Sequence, residues 1–210
     1  VDIVILTGDI TLANSPVKNI IGPFVKAKKQ VLLIPGNHEG VETIDFFADY
    51  YDNTKSIHGH FFIRGNVGIF GAGGADIGVY RISDKEILEL LEKGHKGIKN
   101  LEKKIMVTHM HPKGTKSEFS GFIGSKAVRK AIEKFKPDIA LFSHIHEASG
   151  TEEKIGVAKA EHEYLGALID YQALPFEFQK KEAEPHMKSF LNGGNYLLEN
   201  RMHRPDEELM

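Results

Sequence analysis

Val31-Leu32-Leu33-Ile34-Pro35-Gly36-Asn37-His38-Glu39 is a short apolar run that stops on proline and glycine, then presents an amide, an imidazole and a carboxylate. The run is continuous rather than alternating, the pattern of a strand covered on both faces. Three other runs share the design. Ile3–Leu6 leads to Thr7-Gly8-Asp9, Ile105–Val107 to Thr108-His109-Met110-His111, and Ile139–Phe142 to Ser143-His144-Ile145-His146-Glu147. Helix-like stretches separate these runs, so the chain reads as an α/β layered fold.

Working outward, Ser15-Pro16 offers an N-cap and a first-turn proline for a helix towards Lys28. Val41–Tyr51 reads as a second helix, with Ile44, Phe47 and Ala48 at helical spacing. Ser83-Asp84-Lys85-Glu86 is a capping box ahead of Ile87-Leu88 and Leu90-Leu91. Ser125 caps a helix that ends near Phe135, where Pro137 bars its continuation. Phe61–Arg64 and Val67–Phe70, joined by Gly65-Asn66, form a predicted hairpin that runs into the glycine loop Gly71–Gly78. Past Gly150, short strands are expected at Ile155–Ala158, Ala167–Tyr171 and Phe176–Phe178. Residues 1–179 read as one domain and residues 180–210 as a polar tail without a period.

The chain of 210 residues suits a single domain that buries roughly 70% of its unfolded surface. Its 27 Lys+Arg against 29 Asp+Glu leave a net charge of −2, which disfavours nucleic acid and anionic membranes as partners. With no cysteine, disulfides, thiolate metal sites, iron–sulfur clusters and cysteine nucleophiles are excluded. No apolar run reaches the roughly 18 residues that span a bilayer. A soluble, cytoplasmic protein is the expectation.

If the four buried strands are parallel neighbours, their carboxyl ends share one edge of a sheet, the crevice where α/β sheets place ligands. A lone histidine after a strand is more often a hydrogen-bonded core or loop residue than a ligand. Gly8-Asp9 and Gly36-Asn37, each taken alone, are turns. Four such endings after four buried runs are hard to explain independently, and together they offer the oxygen and nitrogen donors that bind divalent transition metals.

The ordered set Gly8-Asp9, Gly36-Asn37-His38-Glu39, His109 and His144-Ile145-His146 resembles the calcineurin-like metallophosphoesterase superfamily, most closely its small prokaryotic branch. The resemblance runs from about Val1 to Tyr171. It implies a four-layer α-β-β-α sandwich of two mixed sheets. It also implies a phosphoesterase that hydrolyses a small phosphomonoester or phosphodiester with a metal-bound hydroxide, using two divalent ions (Mn, Fe, Zn, Ni or Co). By the same resemblance Asp9 bridges the two metals, Asn37, His109 and His144 complete the second site, and His146 belongs to the first. His38 is the implied catalytic acid beside the substrate, and Glu39 would orient it. An acidic residue ahead of Val41 also suits a helix N-terminus with no catalytic duty. His111 is a candidate substrate contact, although histidines beside ligands often serve to hold them. Two cations about 3.5–4 Å apart would clamp both oxygens of an in-line displacement and bring the pKa of bound water towards roughly 7.

The match departs from the family at its start. The Asp-x-His motif that would supply two ligands of the first metal is absent, so that site keeps Asp9 and His146 while the second is better preserved. The expectation is a sequence that lacks its first strand–helix unit, whose removal would leave an unpaired sheet edge. His203 and Asp206 in the tail have the wrong spacing to substitute. Ser143 stands where the family has glycine, and Ala160–Tyr164 where it has an Asn-Pro-Gly turn. The alternative reading is a non-catalytic protein-binding scaffold on the same fold. Phe190, Tyr196, Leu197 and Leu198 would allow the tail to join copies into a homo-oligomer. Lys113 and Lys116 could meet a phosphate, Gly71–Gly78 reads as a structural turn, and His58 and His60 receive no role.

Overall fold

Ile3 and Ile5 face one core while Val4 and Leu6, between and beyond them, face another. Period-two alternation within a fully buried strand is what a layer inside a sandwich requires. The computed structural model describes residues 1–15, 20–162 and 166–169. It begins β1 (Ile3–Leu6), α1 (Gly22–Lys26), β2 (Gln30–Leu33), α2 (Val41–Tyr50), β3 (Thr54–Ser56), β4 (Phe61–Arg64) and β5 (Val67–Ala72). It continues α3 (Asp84–Lys96), β6 (Lys103–Thr108), α4 (Lys126–Phe135), β7 (Ile139–Phe142), β8 (Glu152–Ile155), β9 (Ala158–His162) and β10 (Gly166–Ile169).

Two mixed sheets result, ordered β10-β1-β2-β3 and β4-β5-β6-β7-β9-β8. In the first, β1, β2 and β3 are parallel and β10 is antiparallel to β1. In the second, β5, β6, β7 and β9 are parallel, with antiparallel β4 and β8 at the edges. Ile3, Ile5, Leu32 and Ile34 from one sheet meet Ile69, Ile105, Val107 and Leu141 from the other in a shared core. Burying each such side chain contributes about 1.5–3 kcal/mol. Ile44 of α2 and the half-buried Phe24 and Phe47 cover the outer face of the smaller sheet. Ile87 and Leu91 of α3, with Val128, Ile132 and Phe135 of α4, cover the larger. The architecture is the expected four-layer sandwich of two mixed sheets.

Local signals set the helix starts. The Ser83 hydroxyl accepts from Glu86 N–H while the Glu86 carboxylate accepts from Ser83 N–H, and Ser125 caps α4 through Val128 N–H. α4 ends on Lys136 in the left-handed conformation, one residue before Pro137.

Three expectations are corrected. The helix predicted from Ser15-Pro16 is not capped there: Leu12 and Ser15 exchange backbone hydrogen bonds across a tight turn, and α1 opens at Gly22-Pro23 instead. Pro16 itself lies outside the described residues. Ile155–Ala158, expected as a strand, is the turn of the β8–β9 hairpin, because Gly156 at φ +60° lets the chain reverse between Ile155 and Ala158. The four buried strands do not share one sheet; they come as two parallel pairs, β1–β2 and β6–β7, in facing sheets. In the smaller sheet β1 has a neighbour on each side, β2 and β10. The expected strand Phe176–Phe178 and the tail 180–210 lie outside the described residues.

Candidate metal centre

Each of the two pairs is parallel, and the residues that follow their strands converge on a common rim. Asp9 follows β1, Asn37 follows β2, His109 follows β6 and His144 follows β7. Ligand atoms of Asp9, His109 and His144 lie within 4.8 Å of one another. Asn37 Oδ1 stands among them, 3.0 Å from His109 Nε2 and 2.9 Å from His144 Nδ1. Asp9 Oδ2 is 3.5 Å from His109 Nε2.

Backbone geometry aims these groups. Asp9 Oδ1 accepts from the N–H groups of Asn37 (2.9 Å) and His38 (3.1 Å), which locks the β2 loop to the β1 loop. Gly36 allows this closeness, since a Cβ there would fall on the Asp9 backbone nitrogen and Oδ1. Asp9 (φ +56°) and His144 (φ +76°) both hold the left-handed conformation. That conformation is costly for a residue other than glycine, and such strain clusters at functional sites.

The protonation pattern favours a cation. His109 Nδ1 lies 2.8 Å from the Thr7 carbonyl, which can only accept, so Nδ1 carries the proton and Nε2 a lone pair. Ser143 adds its hydroxyl 3.1 Å from the same Nδ1 and donates to Thr7 O. A bare ring nitrogen facing the oxygens of Asn37 and Asp9 is repelled unless a proton or a metal ion sits among them. A divalent ion supplies positive charge there, and these nitrogen and oxygen donors fit one. A backbone carbonyl that fixes the tautomer of a ligand histidine is the usual support for such a site. Burial, with His109 next to it, pulls the pKa of His144 to about 4, which keeps its ring neutral near pH 7.

Not every expected residue joins this group. His146, expected at the first metal rather than among these donors, is exposed at the start of a 3₁₀ turn, His146–Ala148. His38 is half-buried beside Asp9, and among the described residues its ring has no hydrogen-bond partner. Glu39 does not turn towards that ring. Fully buried, its carboxylate accepts from the N–H groups of Asp9 (2.8 Å), Gly36 (2.7 Å) and Thr11 (3.1 Å) and from the Thr11 hydroxyl. It is a staple between the first two loops. His111, expected against a substrate, is 1% exposed and its Nε2 donates to the Phe122 carbonyl, pinning the loop that follows β6. Burial pushes its pKa down.

Thr7, Thr11 and Ser143 join the site without having been expected in it. Of the three, only Ser143 carries a sequence signal, as the hydroxyl residue standing where glycine was expected. The glycine loop is structural, as expected: Val79 N–H (2.7 Å) and Tyr80 N–H (3.4 Å) donate to the Asn37 carbonyl, and Gly74 N–H donates to that of Pro35.

Residues 1–148 match the sequence profile of the calcineurin-like phosphoesterases. The chain belongs to this family. Calcineurin-like phosphoesterases share metal-dependent hydrolysis of phosphoesters, which is the class of activity that membership supports. Among solved structures, TT1561 of Thermus thermophilus superposes with a TM-score of 0.59 at 17% identity, covering 76% of this chain and 75% of that one. A second crystal structure gives a TM-score of 0.58 at 16% identity, covering 76% and 78%. At such identities the likeness speaks for the fold alone. No curated protein matches the chain. Among the described residues, no helix is long and apolar enough to cross a membrane.

Proposed function

We propose that this calcineurin-like phosphoesterase hydrolyses a small phosphomonoester or phosphodiester at the rim built by Asp9, Asn37, His109 and His144. The observation that carries the reading is the convergence of His109 Nε2, Asn37 Oδ1, Asp9 Oδ2 and His144 Nδ1 on one spot, a donor set that a divalent ion among them would stabilise. A divalent ion bound there supplies Lewis acidity towards a phosphoryl oxygen and a more acidic water.

The chain's own residues do the rest. Asp9 contributes negative charge and aligns the backbone of Asn37 and His38. Asn37 contributes a neutral oxygen, which leaves the rim cationic enough to attract phosphate. His38, adjacent to Asp9 and, among the described residues, without a ring partner, is placed to give a proton to the departing alkoxide, a role worth about 10²–10⁴-fold. His111 serves by fixing its loop.

The test is release of p-nitrophenol from p-nitrophenyl phosphate and from its bis ester, with Mn²⁺, Ni²⁺ or Zn²⁺ added. Turnover that is lost in Asp9→Ala and lowered in His38→Ala supports the reading. The second reading is a protein-binding scaffold with weakened metal chemistry, which the absence of an Asp-x-His motif among residues 1–210 favours. Tight cation binding without hydrolysis of either ester would select it.

A further inference from the structure

We propose that His58 is a positioning residue for the cation site, acting through the loop that fixes the backbone of Asn37. This rests on the reading of that site given above. His58 is buried, 7% exposed. Its Nδ1 accepts from Gly73 N–H at 3.0 Å, so its proton sits on Nε2, which lies 3.2 Å from the Tyr80 hydroxyl. The two rings meet edge-on at 5.7 Å.

Gly73 and Tyr80 are the two ends of one loop. Between them the chain closes on itself through Ala75 N–H to Tyr80 O and Ile82 N–H to Ala75 O. The same loop sends Val79 N–H and Tyr80 N–H into the Asn37 carbonyl, while Asp9 holds the Asn37 N–H from the other side. Asn37 is therefore gripped at both ends of its backbone, and one grip hangs on a loop held by Gly74 N–H on the Pro35 carbonyl and by the His58 ring, which alone joins the loop's two ends through side-chain contacts. A neutral imidazole is suited to this because it offers an acceptor on one edge and a donor on the other. Burial, with His60 and Lys93 nearby, pulls its pKa to about 4 and keeps both edges in service. Without the ring, the Gly73 N–H loses its acceptor and the Tyr80 hydroxyl its partner, which loosens the loop while the Gly74–Pro35 bond remains, so Asn37 Oδ1 shifts in register against His109 and His144.

The experiment is calorimetric titration of Mn²⁺ into the 210-residue chain and into His58→Ala, His58→Asn and Tyr80→Phe, with thermal unfolding recorded for each. His58→Ala is expected to weaken Mn²⁺ binding about tenfold or more, the scale seen when supports of a metal ligand are removed. Asn can reproduce the acceptor towards Gly73, so His58→Asn recovers affinity to within about threefold of wild type, and Tyr80→Phe falls between. Ile87→Ala, which loosens the outer core, serves as the control for stability and leaves Mn²⁺ affinity within about twofold. If His58→Ala fails to fold, the order of His58→Asn and Tyr80→Phe carries the result. Wild-type affinity in a folded His58→Ala, or equal losses in the Ile87→Ala control, would overturn the inference while leaving the cation site intact. Absence of Mn²⁺ binding by the wild-type chain would overturn the site itself.

Discussion

His109 Nε2 lies 3.0 Å from Asn37 Oδ1 across 72 positions of sequence, with its other ring nitrogen committed to the Thr7 carbonyl. A ring nitrogen and an amide oxygen are brought together by two different sheets, and that pairing defines what the rim can hold.

Asp9 has two duties, and Asp9→Asn separates them. The amide oxygen still accepts from Asn37 and His38 N–H, so the unfolding midpoint stays close to wild type. The lost negative charge weakens Mn²⁺ binding by about tenfold or more. Isothermal titration beside a urea melt reads both effects, and a large loss of stability in Asp9→Asn would contradict the division.

Glu39 is a stability residue by its contacts. Glu39→Ala leaves buried N–H groups of Asp9, Gly36 and Thr11 without their acceptor, a loss of about 3 kcal/mol or more. Glu39→Gln offers one oxygen where two served and is intermediate. Equilibrium unfolding in urea measures both. A change in turnover with no change in stability would restore the role of orienting His38.

The metal-free protein loses stability on mild acidification. His58 and His144 fall from 6.5 in the unfolded chain to about 4 when folded, chiefly through burial. The unfolded state therefore binds more protons between these values, and unfolding becomes easier as pH drops from 6.5 towards 4. Each residue contributes on the order of 3 kcal/mol at most across that window. The urea midpoint followed from about pH 7.5 to about 4.5 tests this, and His58→Asn should flatten the profile. Protons also compete for His144, so Mn²⁺ affinity declines in the same direction.

Ser125 joins two helices. Its hydroxyl accepts from Val128 N–H and lies 2.5 Å from Asp84 Oδ1 in the first turn of α3. Ser125→Ala is expected to cost about 1–2 kcal/mol, and Ser83→Ala, which loses its capping box at the surface, about 1 kcal/mol. Thermal denaturation ranks the two.

The layers are legible in the sequence because each buried strand is an unbroken apolar run and each ends in residues that favour turns. Ser83 and Ser125 announce their helices through side-chain chemistry local to a few residues. The rim is legible for the same reason, since Asp9, Asn37, His109 and His144 all follow recognisable strands. What stays hidden depends on contacts between distant segments. Nothing near Glu39 indicates that Thr11 and Asp9 will surround its carboxylate. Nothing near His58 indicates that a glycine 15 positions later will need its ring. The division of the four runs between two sheets is equally invisible to periodicity, because both sheets bury both faces. Ile155–Ala158 is ambiguous because a glycine inside an apolar stretch marks either a strand defect or a reversal, and only pairing with Glu152–Ile155 decides.

The ends of β1 and β2 supply Asp9 and Asn37, whereas those of β6 and β7 supply His109 and His144. An ion held by all four is a rivet through the mouth of the sandwich, and its grip depends on how firmly the two walls are seated. Truncations deep in the seam, such as Val107→Ala or Leu32→Ala, touch no donor yet loosen the rivet, and filling the mouth with metal slows hydrogen exchange along the seam.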